Sequence, residues 1–396
     1  MSDILKISAI FVIILILLRK KINIGYVMLI ASGMLALLYL MTPRDVLSTI
    51  KSTFVDKVTI KLALALTLIR SFEMILREKD VLSDMMKASK QLLLRKKAVI
   101  VSMPLLIGLL PSVGGAYFSA PMVDESTKGM DMSREEKAFI NYWFRHPWEY
   151  ILPLYPGILL ASAISNIELR NLILANTPYA AFIVITGFFF SMRKANGKFP
   201  KTEGVSKKGL FSFIPITAVL LLVVIFHIEL HYALLFAIIA LSIFYRFSLK
   251  DILRVIKHGL SMDVIMLIIG IMLFKQTMEA SGAVKNLSSF LTAEGIPFMP
   301  ILFLLPFITG LLTGLTVGFV GSTFPLLLSI AGNNSIGIIT FAFASGFIGV
   351  LVSPVHICLV LTREYFKADF GGLYKKIIPA GVIVFCIAVV EYLILR

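Results

Sequence analysis

The chain alternates between long hydrophobic stretches and short segments rich in Lys and Arg. We predict that ten of these stretches cross a bilayer as helices, because a helix satisfies all of its backbone groups internally. They occupy residues 4–18, 22–42, 60–76, 138–165, 172–192, 210–226, 230–248, 262–278, 336–361 and 378–395. The pattern therefore predicts a polytopic all-α protein.

Two further hydrophobic regions are interrupted too early to cross. In the first, residues 98–110 run into Pro111 and a glycine pair, and the return arm 116–123 ends at Asp124. Residues 296–331 have the same make-up around the Gly- and Thr-rich segment 313–323. Irregular backbone is tolerated at membrane depth only where protein or a cavity surrounds it. We therefore predict two re-entrant hairpins, at about 98–126 and 297–331.

The two hairpins begin with related sequences. Pro104-Leu-Leu-Ile-Gly108-Leu-Leu and Pro306-Phe-Ile-Thr-Gly310-Leu-Leu share Pro, Gly and Leu-Leu at the same spacing. Helix-breaking residues at corresponding places in two hydrophobic halves indicate the binding site of a secondary transporter. The chain is thus predicted to be an internal repeat.

Loop charges give the relative orientation of the repeats. With the N-terminus outside, the inside segments hold 27 Lys and Arg and the outside loops five, in agreement with the positive-inside rule. Segment 77–97, before the first hairpin, is strongly basic, whereas 279–296, before the second, has one Lys. These equivalent segments are predicted to lie on opposite sides, so the repeat is inverted.

These predictions combine into one architecture in the cytoplasmic membrane. Each half has five transmembrane helices and one hairpin, which gives about ten spans and two hairpins. Residues 1–192 form the first repeat, 193–209 a cytoplasmic linker and 210–396 the second repeat. The protein is multi-pass, with its N-terminus outside.

The composition is that of a membrane protein rather than of a soluble domain. Hydrophobic residues make up 58% of the chain and charged residues 15%, against about 25% charged in soluble domains. The net charge of +15 is explained by basic cytoplasmic loops, so no nucleic-acid partner is expected. Cys358 and Cys386 lie in apolar stretches and are expected to pack as small hydrophobic residues.

Each return arm has a hydroxyl residue two positions before a proline. Ser119 precedes Pro121, and Thr323 precedes Pro325. A hydroxyl at the cap with Pro in the first turn is a helix-start signal. We therefore predict that helices begin at these two hydroxyl residues.

The spans that follow the hairpins also break at matching places. His146 precedes Pro147, and Ser353 precedes Pro354; proline lacks the N–H that a continuous helix needs. Four helix N-termini are then expected near mid-membrane, where unpaired N–H groups and the helix dipole favour an anion.

Candidate binding residues follow from these breaks. Small and hydroxyl residues allow close backbone approach and supply oxygen ligands. Around the hairpin tips the candidates for solute or ion binding are Ser112, Gly114, Gly115, Ser119, Thr313, Thr316, Gly318, Gly321, Ser322 and Thr323. No metal site is predicted, with a Na⁺ ion near Ser112 and Thr316 as the alternative. Alternatively, Gly310, Gly314 and Gly318 form a small-residue ridge for helix contact.

The broken spans add ionisable candidates. His146 and Glu149 lie beside Arg145 at the first break, where they either contact solute or a proton or form an ordered helix cap. Ser353 and His356 lie at the second break, and His356 is either functional or a satisfied core residue. Charged groups in a bilayer are costly, so each requires a partner.

Residues 110–125 (LPSVGGAYFSAPMVDE) and 141–149 (NYWFRHPWE) resemble an uncharacterised prokaryotic membrane family, the domain of unknown function numbered 401. That family looks like a branch of the ion transporter superfamily, beside citrate and dicarboxylate, gluconate and arsenite transporters. The resemblance implies a scaffold domain, a moving transport domain, a homodimer and an elevator mechanism. The tips lack the Ser-Asn-Thr of the dicarboxylate branch, so no particular substrate is implied.

The function predicted is a secondary active transporter of a small anionic solute, coupled to Na⁺ or H⁺ and without a cofactor. The alternatives are an ion channel and an intramembrane lipid or peptide hydrolase. An enzyme is not expected, because the chain contains neither His-Glu-x-x-His nor Gly-x-Ser-x-Gly.

Overall fold

The computed structural model describes residues 3–93, 95–111, 115–195, 197, 207–283, 297–331 and 335–395, which are helices joined by short connections. The helices are α1 Asp3–Arg19, α2 Ile24–Leu38, α3 Pro43–Val55, α4 Lys57–Glu78, α5 Val81–Leu92, α6 Lys96–Gly108, α7 Gly115–Ser126, α8 Arg134–Trp143, α9 Trp148–Ile151, α10 Pro156–Ser165, α11 Leu169–Ser191, α12 Lys207–Phe211, α13 Ile214–Val224, α14 Leu230–Phe244, α15 Leu249–Gly259, α16 Met262–Ala280, α17 Phe298–Thr313, α18 Thr316–Ala331, α19 Ile336–Leu351, α20 Ile357–Phe366 and α21 Phe370–Leu395. The all-α prediction is confirmed for the part of the chain described.

Within the described part of the chain, three helical segments are long and apolar enough to cross a membrane: residues 169–191, 249–280 and 370–395. Six shorter helices are also apolar: α2, α14, α17, α18, α19 and the segment 209–224, which contains α13. These apolar helices are typical of a membrane protein. The count of ten spans stays a prediction.

One group of helices is built on contacts between α2, α4, α14 and α16. Helix α2 packs on α16, and α14 packs on α4. The short helices α3 and α15 each begin with a capping box, from Thr42 and Asp45 and from Ser248 and Asp251. Helix α3 then lies on α16, and α15 on α4.

A second group contains both hairpins and both broken spans. Helices α6 and α7 pack on each other, as do α17 and α18. The span predicted at 138–165 is divided into α8, α9 and α10, and the one at 336–361 into α19 and α20. Helices α11 and α21 pack together alongside them.

The repeated glycines bring each hairpin's first arm against the following span. A Cβ added to Gly108 would collide with the backbone carbonyl of Arg145, and one added to Gly310 would collide with that of Gly346. Both glycines are therefore required for backbone-to-backbone contact, which is how small residues join transmembrane helices. The ridge interpretation of Gly310 agrees with this contact.

The predicted helix starts at Ser119 and Thr323 are wrong. Helix α7 begins earlier, at Gly115, and α18 at Thr316, so Pro121 and Pro325 lie inside helices. The two hydroxyls do not cap helix starts. Ser119 Oγ lies 3.4 Å from the Gly115 carbonyl oxygen, and Thr323 Oγ1 donates to the Phe319 carbonyl at 2.7 Å. Such bonds to the preceding turn are a common alternative for hydroxyl residues within helices.

The second hairpin tip is also shorter than predicted. Only Gly314 and Leu315 separate α17 from α18, and Gly314 has a positive φ of 64°, which glycine adopts without strain. The sequence predicts an irregular Gly- and Thr-rich segment, but most of it is helical. Gly318 lets the Thr313 side chain lie against α18, since an added Cβ would come within 2.9 Å of Thr313 Oγ1.

At the end of the molecule predicted to be cytoplasmic, Glu135 joins α8 to the connection before α21. Its Oε1 atom accepts from the Asp369 backbone N–H at 3.1 Å. This bond lowers the pKa of the Glu135 carboxyl, because hydrogen bonds to the charged form favour ionisation. Most of the predicted linker 193–209 lies outside the described residues.

Replacing Gly310 with Ala should destabilise the protein by about 1–3 kcal/mol, because the new methyl group forces α17 away from the Gly346 carbonyl. Thermal unfolding of the purified protein in detergent measures the effect. Gly33→Ala is the matched control, since a Cβ at Gly33 meets nothing within 4 Å. Equal melting temperatures for the two variants would contradict the contact.

Candidate functional site

Two buried histidines, one from each broken span, meet at the centre of the second group of helices. His146 Nε2 and His356 Nε2 are 3.1 Å apart, although the residues are 210 positions apart in the chain. Their exposed fractions are 1% and 6%. The two breaks predicted from the sequence therefore lie side by side.

The other nitrogen of each ring contacts a backbone carbonyl. His146 Nδ1 is 2.6 Å from the Tyr142 carbonyl oxygen, and His356 Nδ1 is 2.7 Å from that of Gly314. A carbonyl oxygen only accepts, so both Nδ1 atoms carry the hydrogen. Two neutral rings held in this way point their Nε2 lone pairs at each other.

Cys358 completes this cluster, which the sequence prediction missed. Its Sγ atom and the ligand nitrogens of His146 and His356 all lie within 4.8 Å of one another, and all three residues are buried. The expectation that both cysteines pack as small hydrophobic residues agrees with the burial of Cys358 in the core, whereas Cys386 is exposed. The sequence signal of the cluster was the spacing His356-x-Cys358, two residues after a predicted break.

Glu149 connects the first break to the second hairpin. Its Oε2 atom accepts a 2.5 Å hydrogen bond from the Thr316 hydroxyl at the start of α18. Its Oε1 atom is 4.0 Å from His146 Nε2. The carboxylate thus lies between the hairpin tip and the histidine pair.

The ends of the two first hairpin arms are closed by side chains from the broken spans. In the first half, the Trp148 indole and the Tyr155 hydroxyl donate to the carbonyls of Leu105 and Gly108, at 2.7 and 2.5 Å. In the second half, Ser353 Oγ donates to the Leu311 carbonyl at 2.6 Å. His356 Nδ1 donates to the Gly314 carbonyl in the same way.

Tyr142 links the two breaks once more. Its hydroxyl donates to the carbonyl of Leu351, at the end of α19, at 2.8 Å. Its own carbonyl accepts from His146. The end of α8 and the end of α19 are therefore joined through one buried aromatic residue.

A second buried polar cluster surrounds Asn141. Its Oδ1 atom accepts from Ser119 Oγ at 2.6 Å, and its amide donates to the Ala116 carbonyl and to Thr362 Oγ1 at 2.9 and 3.0 Å. This network joins α7, α8 and α20. Asn141 and Thr362 were not predicted as site residues, because nothing local in the sequence distinguishes them.

The predicted site residues thus fall into separate places. The structure brings together His146, Glu149, Thr316, Ser353 and His356. Ser119 lies in the Asn141 network, and Gly115 is buried at the first residue of α7. Ser112 and Gly114, and with them one side of the alternative Na⁺ site, lie outside the described residues.

The remaining hairpin residues lie within α17 and α18. Thr313, Ser322 and Thr323 donate to carbonyls of their own helices. Gly321 lies against Ile271 of α16, because an added Cβ would come within 2.5 Å of its Cδ1 atom. Ser322 lines a small cavity with Ile7 and Phe274. Gly321 and Ser322 thus face the first group of helices.

A family model described as "Protein of unknown function (DUF401)" matches residues 2–395 of the chain. The chain belongs to the DUF401 family. This confirms the family resemblance found in the sequence. No curated protein matches the chain.

The fold of this DUF401 chain is similar to that of a transporter of known structure. The crystal structure of the Alcanivorax borkumensis YdaH transporter superposes with a TM-score of 0.56 at 12% sequence identity. The similarity covers 90% of this chain and 88% of the other. At that identity it is the fold that the two proteins share.

A cavity of about 480 Å³ lies between the two groups of helices in the DUF401 chain. Leu62 and Ala65 of α4 line one side, and Leu159 and Ala163 of α10 line the other. Arg170, at the start of α11, also lines it and donates to the Val224 carbonyl at the end of α13. The cavity thus marks the boundary between the groups.

Replacing Asn141 with Leu should lower the stability by about 1–3 kcal/mol, because the buried Ser119 and Thr362 hydroxyls lose their partner. Thermal unfolding in detergent measures the loss. Asn171→Leu, a half-buried position on α11, should change stability by less than about 0.5 kcal/mol. An Asn141→Leu variant as stable as the control would show that the network contributes nothing.

Proposed function

We propose that the protein is a secondary active transporter, which moves a small anionic solute across the cytoplasmic membrane and is driven by a Na⁺ or H⁺ gradient. Its shared fold with a transporter supports the general class. The observation that carries the proposal is the joining of both broken spans and a hairpin tip through the contact of His146 with His356 and of Glu149 with Thr316. Transporters bind their solutes at such interruptions.

Paired contacts support an inverted repeat. If α2, α3, α4, α7 and α10 are equivalent to α14, α15, α16, α18 and α20, exchanging the halves maps three contacts onto three others. The contact of α2 with α16 becomes that of α14 with α4, and α3 on α16 becomes α15 on α4. The contact of α10 with α18 becomes that of α20 with α7. A two-fold pseudo-symmetry has this consequence.

An elevator mechanism is supported by the division into two groups of helices. Helices α1–α4 and α13–α16 would form the scaffold, and α6–α11 with α17–α21 the moving domain. The cavity at residues 62, 65, 159 and 163 separates them, and α18 contacts α16 through the Gly321 surface. We propose that the scaffold also forms the homodimer contact that the family resemblance implies, within the lipid bilayer.

An anionic solute suits the charges near the breaks. Helix α18 begins at Thr316 beside Glu149, and α20 begins directly after His356, so both direct the positive ends of their dipoles into this region. Arg145, 4% exposed, adds a buried cation. Glu149 is already engaged with Thr316.

The hydrolase alternative finds less support. The Ser119 hydroxyl, the serine nearest the breaks on α7, bonds with Asn141 and not with a histidine. A serine nucleophile needs a base within hydrogen-bond reach. We therefore favour transport over catalysis.

Thr316→Val should reduce solute uptake about tenfold or more, because Glu149 loses a charge-assisted hydrogen bond worth about 1.5–3 kcal/mol. Uptake of labelled citrate, succinate, gluconate and similar anions into proteoliposomes is measured with an imposed Na⁺ or H⁺ gradient. The two gradient arms distinguish the coupling ions. Thr309→Val is the matched control, since the Thr309 hydroxyl bonds only within its own helix, to Leu305.

No gradient-driven uptake by folded parent protein across the panel would overturn the transporter proposal. If the parent protein takes up solute and the Thr316→Val variant does so equally well, the contact of Glu149 with Thr316 is not part of the transport site. Ion currents without accumulation would instead indicate a channel.

Cross-linking α4 to α10 should stop uptake if the second group moves as an elevator. Cysteines introduced at Ala65 and Ala163, on opposite sides of the cavity, are joined with a bifunctional maleimide. Uptake should fall to background and return with a cleavable linker after cleavage. A pair on one group, at Ser52 and Gln276, whose side chains are 2.6 Å apart, is the control and should leave uptake unchanged. Full uptake by the cross-linked Ala65–Ala163 protein would exclude this motion.

A further inference from the structure

We propose that His146, His356 and Cys358 bind a divalent metal ion of the zinc class. The three ligand atoms lie within 4.8 Å of one another and come from both broken spans. The inference does not depend on the proposed transport activity, because binding is measured on the purified protein.

The two nitrogens already have the separation that one metal ion requires. Zinc lies about 2.0–2.1 Å from histidine nitrogens in proteins. For an ion at that distance from two Nε2 atoms 3.1 Å apart, the N–metal–N angle is roughly 100°, which is close to the tetrahedral value. Cys358 Sγ reaches the third position by a side-chain shift of about 1 Å, given zinc–sulfur bonds of about 2.3 Å.

The histidines are held as metal-binding histidines usually are. A metal-ligating ring donates its other N–H to a carbonyl or carboxylate, which fixes the tautomer and directs the lone pair to the ion. Tyr142 and Gly314 supply those carbonyls here. A bound ion also removes the repulsion between the two facing lone pairs.

Charge balance favours a divalent ion with Glu149 as fourth ligand. Cys358 binds as a thiolate and releases its proton, and Glu149 Oε1 is 4.0 Å from His146 Nε2. One thiolate and one carboxylate neutralise a divalent cation, so the ion and its ligands together carry no net charge. A neutral site suits a buried position in a low-dielectric region.

The ligand types select the ion. Imidazole and thiolate favour zinc, copper, iron or nickel, whereas Na⁺, Mg²⁺ and Ca²⁺ prefer oxygen ligands. Cobalt replaces zinc in tetrahedral sites and reports a thiolate ligand by its charge-transfer absorption. Zinc and cobalt are therefore the probes.

The experiment uses the untagged full chain, purified in detergent and freed of metal with a chelator. Zn²⁺ should raise the melting temperature of the parent protein, since an ion that binds the folded state stabilises it. Co²⁺ should bind at one equivalent and give the thiolate absorption band. Cys358→Ser should lose the band, and His356→Gln should bind at least about tenfold more weakly.

Cys386→Ser is the matched control, because Cys386 is exposed and is the other of the chain's two cysteines. It should behave like the parent. X-ray absorption of the zinc-loaded parent needs no variant and should show one sulfur and about three nitrogen or oxygen ligands. No melting shift with Zn²⁺, a cobalt band that survives in Cys358→Ser, or a zinc shell without sulfur would overturn the proposal. A proton shared by the histidines would then remain as the cation of the pair.

Discussion

The structure depends on hydrogen-bond partners, other than water, for the backbone carbonyls at the ends of interrupted helices. A carbonyl left unpaired in an apolar environment costs several kcal/mol, yet α6, α8, α17 and α19 end close to or within the buried interior of the molecule. Here side chains supply the missing donors. Trp148 and Tyr155 close the end of α6, and Ser353 and His356 close the end of α17.

The same closure gives the site its chemistry. Each histidine uses Nδ1 to satisfy a carbonyl, which leaves Nε2 as the one ring atom free to face the centre. The two Nε2 atoms then face each other at 3.1 Å. A structural requirement of the breaks thus orients two lone pairs toward a common point, beside a thiol and a carboxylate.

Interruptions were readable from the sequence because Pro and Gly change the backbone locally. Pro147 and Pro354 correctly marked the two breaks, and the Pro-x-x-x-Gly repeat marked the first hairpin arms. The starts of α7 and α18 were not readable, since a proline such as Pro121 is compatible both with a first turn and with a helix interior. Cys358 and Asn141 were missed because their partners come from distant parts of the chain, and local patterns do not report such contacts.

The position of the histidine pair also bears on the proposed elevator motion. His146 belongs to the first half and His356 to the second, and Tyr142 bonds across the same boundary to the end of α19. A rocking motion that separates the halves at this point would leave the Tyr142 and Leu351 groups unpaired in an apolar environment, at the cost of the full desolvation penalty. Motion of both breaks as one body keeps every one of these bonds. In the elevator motion proposed above, the second group of helices would move as a unit and keep these bonds, whereas the Arg170–Val224 hydrogen bond between the two groups would have to break.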